Sequence, residues 1–330
     1  MGNMQAVMIS RPGPPEVLTF GETTPPQPDA GEVLVRVRAA GVNRADVLQR
    51  RGLYPPPPGT RHDIPGLEFA GEVEACGPAA EGWRAGDRVM GLVSGAAYAQ
   101  YVTCPDRLLM HVPSAMTFLQ AAALPEVFIT AYDALFNLLQ IRRGESLLIH
   151  AAASGVGTAA IQLAGCEGVR VLGTSSLKSK LDSLSQLGLD VPINYREQSF
   201  AQEVLKATKG EGVDAILDLV GASHFSHNLD CLAQLGRMVV VGLVGGSQTD
   251  LDLSVLLRKR LTIIGTVLRS RTLPEKAGLV ADFETRIGPL LASGAVRPVL
   301  DRVFPLSLAD QAHAYLESNR NTGKIVLDVS

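Results

Sequence analysis

Two textures of apolar and polar residues divide the chain. From Met4 to about His111 the apolar residues alternate with polar ones in short runs, as in Glu32-Val33-Leu34-Val35-Arg36-Val37-Arg38 and Phe69-Ala70-Gly71-Glu72-Val73-Glu74, with turns rich in Gly, Pro and Asp between them. A period of two buries one face of a strand, so this region is expected to be a mostly antiparallel or barrel-like β domain. From Glu126 the pattern changes to short all-apolar runs alternating with helix-length segments, the rhythm of parallel βαβ units. Strands are expected over Ser146–His150, Val169–Gly173, Val191–Asn194, Ala215–Leu219, Arg237–Gly242 and Leu261–Val267. Runs with no polar face belong in the centre of a doubly wound sheet covered on both sides.

After about Arg269 a helical pattern runs to near Ser293. Val299–Val303 and Lys324–Val329 then read as strands flanking an amphipathic helix at Leu308–Asn319. These two strands lack a βαβ partner and are assigned back to the first domain. The expected organisation is α/β, with a β-rich domain from residues 1–124 and 270–330 and a nucleotide-binding domain from 125–269.

Composition adjusts this picture little. The 330 residues and 46% hydrophobic content suffice for two cores. A formal charge of −3 gives no broad positive field to draw in nucleic acid or an anionic membrane. No apolar run approaches the roughly 18 residues of a membrane-spanning helix, and the start lacks a secretory pattern, so a cytoplasmic location is expected. Cys76, Cys104, Cys166 and Cys231 show no paired spacing, which suits reduced thiols.

The strongest chemical signal is a strand, turn and helix in succession. Leu147-Leu148-Ile149-His150 runs into Ala151-Ala152-Ala153-Ser154-Gly155-Val156-Gly157 and then into Thr158-Ala159-Ala160-Ile161-Gln162-Leu163. Small residues let the backbone approach a diphosphate, whose charge meets the free N–H groups and positive end of the helix. Two registers fit: Gly155-x-Gly157-x-x-Ala160 and Ala152-x-Ser154-x-x-Gly157. An NAD site normally places an acid after the second strand to bind the ribose 2′-hydroxyl. Here Thr174-Ser175-Ser176-Leu177-Lys178-Ser179-Lys180 follows, with no carboxylate before Asp182. Hydroxyls and cations accept a 2′-phosphate and lack the repulsion that excludes it, so NADPH is the expected cofactor.

Other chemistries find no support. There is no Gly-x-Ser-x-Gly elbow and no Gly-x-x-x-x-Gly-Lys-[Ser/Thr] loop. His224, His227 and Cys231 share one helical face, but with no fourth ligand in view they read as part of an ordinary crossover helix. Between Arg50 and Arg61 four successive prolines follow Tyr54, which predicts an extended surface loop that serves as a connector or as an active-site wall.

Several segments in fixed order carry a resemblance. They are Gly41-Val42-Asn43-Arg44-Ala45-Asp46-Val47-Leu48-Gln49-Arg50-Arg51-Gly52-Leu53-Tyr54, Pro65-Gly66-Leu67-Glu68-Phe69-Ala70-Gly71, Ala121-Ala122-Ala123-Leu124-Pro125-Glu126, the glycine loop, Ile193-Asn194-Tyr195, and Gly323-Lys324-Ile325-Val326-Leu327. Together they resemble the medium-chain dehydrogenase/reductase superfamily, and within it the zinc-free quinone oxidoreductase or zeta-crystallin branch. The resemblance implies a GroES-like domain and a Rossmann domain. In zinc-dependent alcohol dehydrogenases of the superfamily a Cys stands at the position of Asn43 and a His at that of Leu67. This chain also lacks their four-cysteine lobe, so no metal is expected.

By the same resemblance Lys180 and Tyr195 should hold the 2′-phosphate, with Ser175 beside it, while Lys178 has no matching position. Ser154, Gly155 and Val156 should meet the diphosphate. Thr130 should lie on the nicotinamide side, and Asn43, Gly242, Leu243, Leu268, Arg269 and Lys324 should line the nicotinamide half. The expected reaction is hydride transfer to a quinone in a dry cleft between the domains, an acceptor needing little acid assistance. Tyr54 is the candidate wall or hydrogen-bond donor for the acceptor, with Asn43 and Asp46 orienting the pocket. Reduction of an enone or enoyl thioester is the rival activity, and an NADPH-binding sensor or RNA-binding protein the rival of another class. Family members are often dimers or tetramers, and the apolar run Leu261–Val267 is a candidate for pairing across a two-fold axis.

Overall fold

The computed structural model describes residues 2–330, which divide into two compact units. One comprises Met1–Ile129 with Leu268–Ser330, the other Thr130–Val267.

The first unit opens with a two-stranded antiparallel ribbon, β1 (Met4–Ile9) and β2 (Leu18–Thr23). Its main sheet is built on the long strand β3 (Glu32–Val42), followed by β4 (Glu68–Cys76), β5 (Arg88–Leu92), β6 (Tyr101–Pro105) and β7 (Leu109–His111). β3 pairs antiparallel with both β4 and β6. Val33, Leu34, Val35, Val37, Ala39 and Ala40 of β3 are buried.

The second unit carries β8 (Ser146–Ile149), β9 (Arg170–Ser175), β10 (Val191–Asn194), β11 (Val213–Asp218), β12 (Leu232–Val240) and β13 (Thr262–Gly265). They form one parallel sheet in the order β10-β9-β8-β11-β12-β13. Leu147, Leu148, Ile149, Val171, Leu172, Ile216 and Leu217 are fully buried, as strands covered on both faces require. Strand order reverses at β8, and in such sheets the crevice beyond the carboxyl end of the reversal strand receives ligands.

The chain then returns to the first unit as β14 (Leu300–Pro305) and β15 (Lys324–Asp328), and β15 pairs antiparallel with β3. The sheet order is β14-β15-β3-β4-β5-β7, with β6 also on β3. Here the sequence reading needs correction. β14 and β15 do not lack a βαβ partner: they are parallel to one another, joined through the helix Ala309–Glu317. That helix buries Ala309, Ala312, His313 and Leu316, so an otherwise antiparallel sheet contains a single crossover.

Strand limits also differ. β9 continues through Thr174 and Ser175, beyond its apolar run, because Ile193 and Asn194 of β10 extend the ladder beside them. β8 stops before His150. β13 keeps only four residues of the longer apolar run and lies at the sheet edge.

Candidate cofactor and active sites

In the second unit the turn after β8 is tight. Ala151 takes a left-handed φ of 47°, and Ser154 caps the helix Gly155–Cys166 by accepting the Gly157 N–H at 3.0 Å. The first-turn N–H groups of Gly155 and Val156 have no intrahelical acceptor and face outward with the positive end of the helix. A Cβ on Gly157 would sit 2.5 Å from the Ala152 carbonyl oxygen, so no larger residue fits without moving backbone. This cradle suits a diphosphate.

Neighbouring strand ends and helices supply the other residues. Ser175 closes β9, is buried, and its carbonyl accepts the Tyr195 N–H at 3.2 Å. Tyr195 follows β10 with its ring 39% exposed and stands edge-on to His224, centroids 5.4 Å apart. Lys180 lies in the helix Lys178–Leu184, whereas Lys178 is paired with Asp182 at 3.1 Å. Gly242 follows β12, its N–H directed at the Asp218 carbonyl, and a Cβ there would meet the Leu219 oxygen at 2.6 Å. Leu243 is exposed, and Thr130 is half-buried in the helix Pro125–Tyr132.

Beneath the cradle runs a polar network that spacing alone did not suggest. Asp218 accepts from the Val220 and Gly221 N–H groups at 2.7 and 3.0 Å and from Asn228 Nδ2 at 3.2 Å. Asn228 Oδ1 faces His150 Nε2 at 2.7 Å, and His150 Nδ1 faces the Thr174 hydroxyl at 3.0 Å. Because the Asn228 amide donates to a carboxylate, its oxygen must accept, which places the His150 proton on Nε2. Burial, then the neighbouring His224, lowers the His150 pKa to about 3. His224 itself lies against His150 and Phe200 rather than in a ligand set. Among the described residues no group of three or more His, Cys, Asp or Glu side chains is arranged to hold a metal ion.

In the first unit the helix Arg44–Arg50 begins at Asn43, whose N–H donates to Asp46 Oδ2 at 2.8 Å. Asp46 is fully buried and also accepts from the Gly66 N–H at 3.2 Å and the Tyr98 hydroxyl at 3.1 Å. Burial raises its pKa to about 6 against the pull of those donors and of Lys324. The Asn43 side chain is committed elsewhere: Nδ2 donates to Glu68 Oε1 at 2.8 Å and Oδ1 accepts from Lys324 Nζ at 2.7 Å. Lys324 and Glu68, both buried, meet at 2.6 Å.

Arg269 is 5% exposed and donates to the Ser94 carbonyl, the Gln49 side chain and the Tyr54 carbonyl, with its guanidinium 5.2 Å above the Tyr54 ring. Burial, then the nearby Glu126, raises the Tyr54 pKa. Leu268 lines a small hollow with Leu67, Leu92, Val93, Arg269, Lys276 and Glu126. The hollow is small and partly open to solvent.

Thus Asn43, Asp46 and Lys324 form one connected group and Tyr54, Leu268 and Arg269 another, while the remaining nominated residues belong to the second unit, Ser154, Gly155, Val156, Ser175, Tyr195, Gly242 and Leu243 at or just beyond strand ends and Thr130 and Lys180 within helices. The sequence reading did not single out Glu68, Gln49, Ser94, Glu126 or Lys276. Glu68 and Glu126 lie inside segments that carried the family likeness, but their partners are distant in the chain and no spacing announces them.

Models of known families match both parts. The alcohol dehydrogenase GroES-like domain matches residues 29–114 and the zinc-binding dehydrogenase model residues 187–327. The chain is 36% identical to the quinone oxidoreductase of Pseudomonas aeruginosa, covering 96% of each. It is also 36% identical to the synaptic vesicle membrane protein VAT-1 homolog of Rattus norvegicus, covering 92% of this chain and 78% of that one. Among solved structures, Escherichia coli quinone oxidoreductase complexed with NADPH aligns over 98% of this chain and 100% of its own, with TM-score 0.91 and 31% identity. The CurK enoyl reductase aligns over 99% of each, with TM-score 0.88 and 29% identity.

Proposed function

Because this chain belongs to the medium-chain dehydrogenase/reductase superfamily, among its quinone oxidoreductase relatives, we propose that it is an NADPH-dependent quinone oxidoreductase working without zinc. The observation that carries the cofactor half is the cradle at Ser154–Gly157, together with the strand end of β9, which offers Ser175 and no carboxylate. NADPH supplies hydride to an electron-poor acceptor.

The residues of this chain then have four tasks. Gly155 and Val156 N–H groups bind the diphosphate. Lys180 and Tyr195, beside Ser175, hold the 2′-phosphate; the candidates for the nicotinamide half are Thr130, Gly242 and Leu243 in the second unit and, in the first unit, Asn43, Leu268, Arg269 and Lys324. Tyr54, its backbone held by Arg269, forms a wall for the acceptor ring. Asp46 fixes the start of the helix that carries Asn43. The donor chemistry does not suit zinc at the superfamily's usual position: Asn43 is an amide locked onto Glu68 and Lys324, and Leu67 offers only hydrocarbon.

The likeness to an enoyl reductase supports a second reading, reduction of α,β-unsaturated carbonyls. Oxidation of NADPH and NADH measured with ortho-quinones, para-quinones and trans-2-alkenals separates them. Preference for NADPH and for quinones is expected. Turnover of alkenals alone refutes the quinone assignment, and equal use of NADH refutes the role of Lys180 and Tyr195. Oligomerisation through the edge strand β13 belongs to the same proposal, and a monomer in solution scattering overturns it.

A further inference from the structure

Glu126 is the acid among the residues that line the hollow in the first unit, and the proposed function gives it no task. It stands in the first turn of the helix Pro125–Tyr132, and its N–H is held by Glu68 Oε2 at 2.8 Å, which fixes where the side chain starts. The side chain is only partly accessible and lines the hollow together with Leu67, Leu92 and Val93. Among the described residues no hydrogen bond or ion pair engages its carboxyl, although three cations, Lys324, Lys276 and Arg269, lie near.

Each of those cations is already committed. Lys324 on β15 donates to Glu68, Asn43 and the Val42 carbonyl. Arg269 donates to Ser94, Gln49 and Tyr54. Lys276, on the helix Leu273–Ala292, donates to the Ser94 hydroxyl at 3.1 Å and the Arg269 carbonyl at 2.7 Å. The anions facing Glu126 are Glu68 on β4 and Asp46 on the helix Arg44–Arg50, and Tyr54 faces it from the proline loop.

We propose that Glu126 is a proton-donating catalytic residue of this site, giving its carboxyl proton to an acceptor that has just taken up hydride. The inference rests on the reductase reading above and adds a donor to it. Burial, and next the Glu68 carboxylate, raise the Glu126 pKa to about 8, so the acid form is the resident one at neutral pH. When an enone or alkenal has accepted hydride from NADPH at its β-carbon, it is an enolate. The O–H bond of Glu126 breaks, its proton bonds to the enolate, and the electron pair stays on the carboxylate, which regains a proton from water. The hydroquinone anion formed from a quinone is stable enough to wait for solvent, so the requirement for Glu126 differs between the two acceptor classes.

The test uses the whole chain and the variants Glu126→Gln and Glu126→Asp. For trans-2-alkenals, Glu126→Gln should lower kcat by about 100-fold, with quinone turnover changed by only a few-fold. The loss of alkenal kcat above about pH 8 in the wild type should vanish in Glu126→Gln and return, displaced, in Glu126→Asp. Independently of turnover, the infrared difference between wild type and Glu126→Gln without cofactor at pH 7 should show a protonated carboxyl C=O band. Unchanged alkenal kcat and pH profile in Glu126→Gln overturn the proposal, as does the absence of that band. If the wild type reduces no acceptor at all, the functional reading itself fails, and an ionised Glu126 in the infrared difference then overturns the proton-donor assignment as well.

Discussion

Lys324→Met tests the buried pair at the centre of the first unit. The Lys324 and Glu68 side chains are 4% and 0% exposed and meet at 2.6 Å. Removing the ammonium leaves Glu68 with two donors, Asn43 Nδ2 and the Glu126 N–H, and a charge that water cannot reach. Breaking one side of such a pair costs about 3–5 kcal/mol, against about 0–1 kcal/mol for an exposed one. Glu68→Gln should cost a similar amount by stranding the ammonium on the Val42 and Asn43 oxygens. The double variant strands neither, so its loss should fall short of the sum by about 2–3 kcal/mol. Trp83, the only tryptophan of the chain, lies in the same unit with its indole N–H on the Asp106 carbonyl, so its fluorescence in a urea titration reports this unit. A single-variant loss below about 1 kcal/mol, or additive losses, refutes the claim that the pair acts as a desolvated unit.

Three further outcomes are expected. Gly157→Ala should weaken NADPH binding at least about tenfold by calorimetry, since its Cβ would lie 2.5 Å from a backbone oxygen that cannot swing away. His150 and His313 are held neutral by burial, their pKa values lowered from 6.5 to about 3. The stability this contributes is fully present above pH 6.5 and is lost as pH falls toward about 3, up to a few kcal/mol per residue, and imidazole NMR signals that stay unshifted down to pH 5 are the check. Tyr54→Ala should cut kcat/KM for quinones by roughly tenfold or more, as expected for loss of a positioning wall, with Tyr54→Phe intermediate. Normal efficiency in both refutes the role of Tyr54.

The sequence by itself determined most of the elements and the local make-up of the glycine-rich turn at Ser154–Gly157. All-apolar runs such as Leu147-Leu148-Ile149 can be satisfied only when covered on both faces, and a strand running into small residues and a helix has few other uses. Local chemistry suffices there, because the residues that make the turn are neighbours in the chain. The same locality shows the missing carboxylate after β9, whereas the expectation that Asn43 and Leu67 hold no zinc came from the family resemblance. Where the pairing partner decides, the sequence was a poorer guide. The extra length of β9 comes from β10, and the parallel pairing of β14 with β15 appears only once the intervening helix packs. The electrostatics of the candidate site were decided entirely by tertiary structure. Glu68 meets Lys324 across 256 residues and Arg269 meets Gln49 across 220, so no window of sequence contains both partners. Glu126 reads as an ordinary helix-start acid until the fold buries it near Glu68, because desolvation and charge proximity are properties of a packed volume.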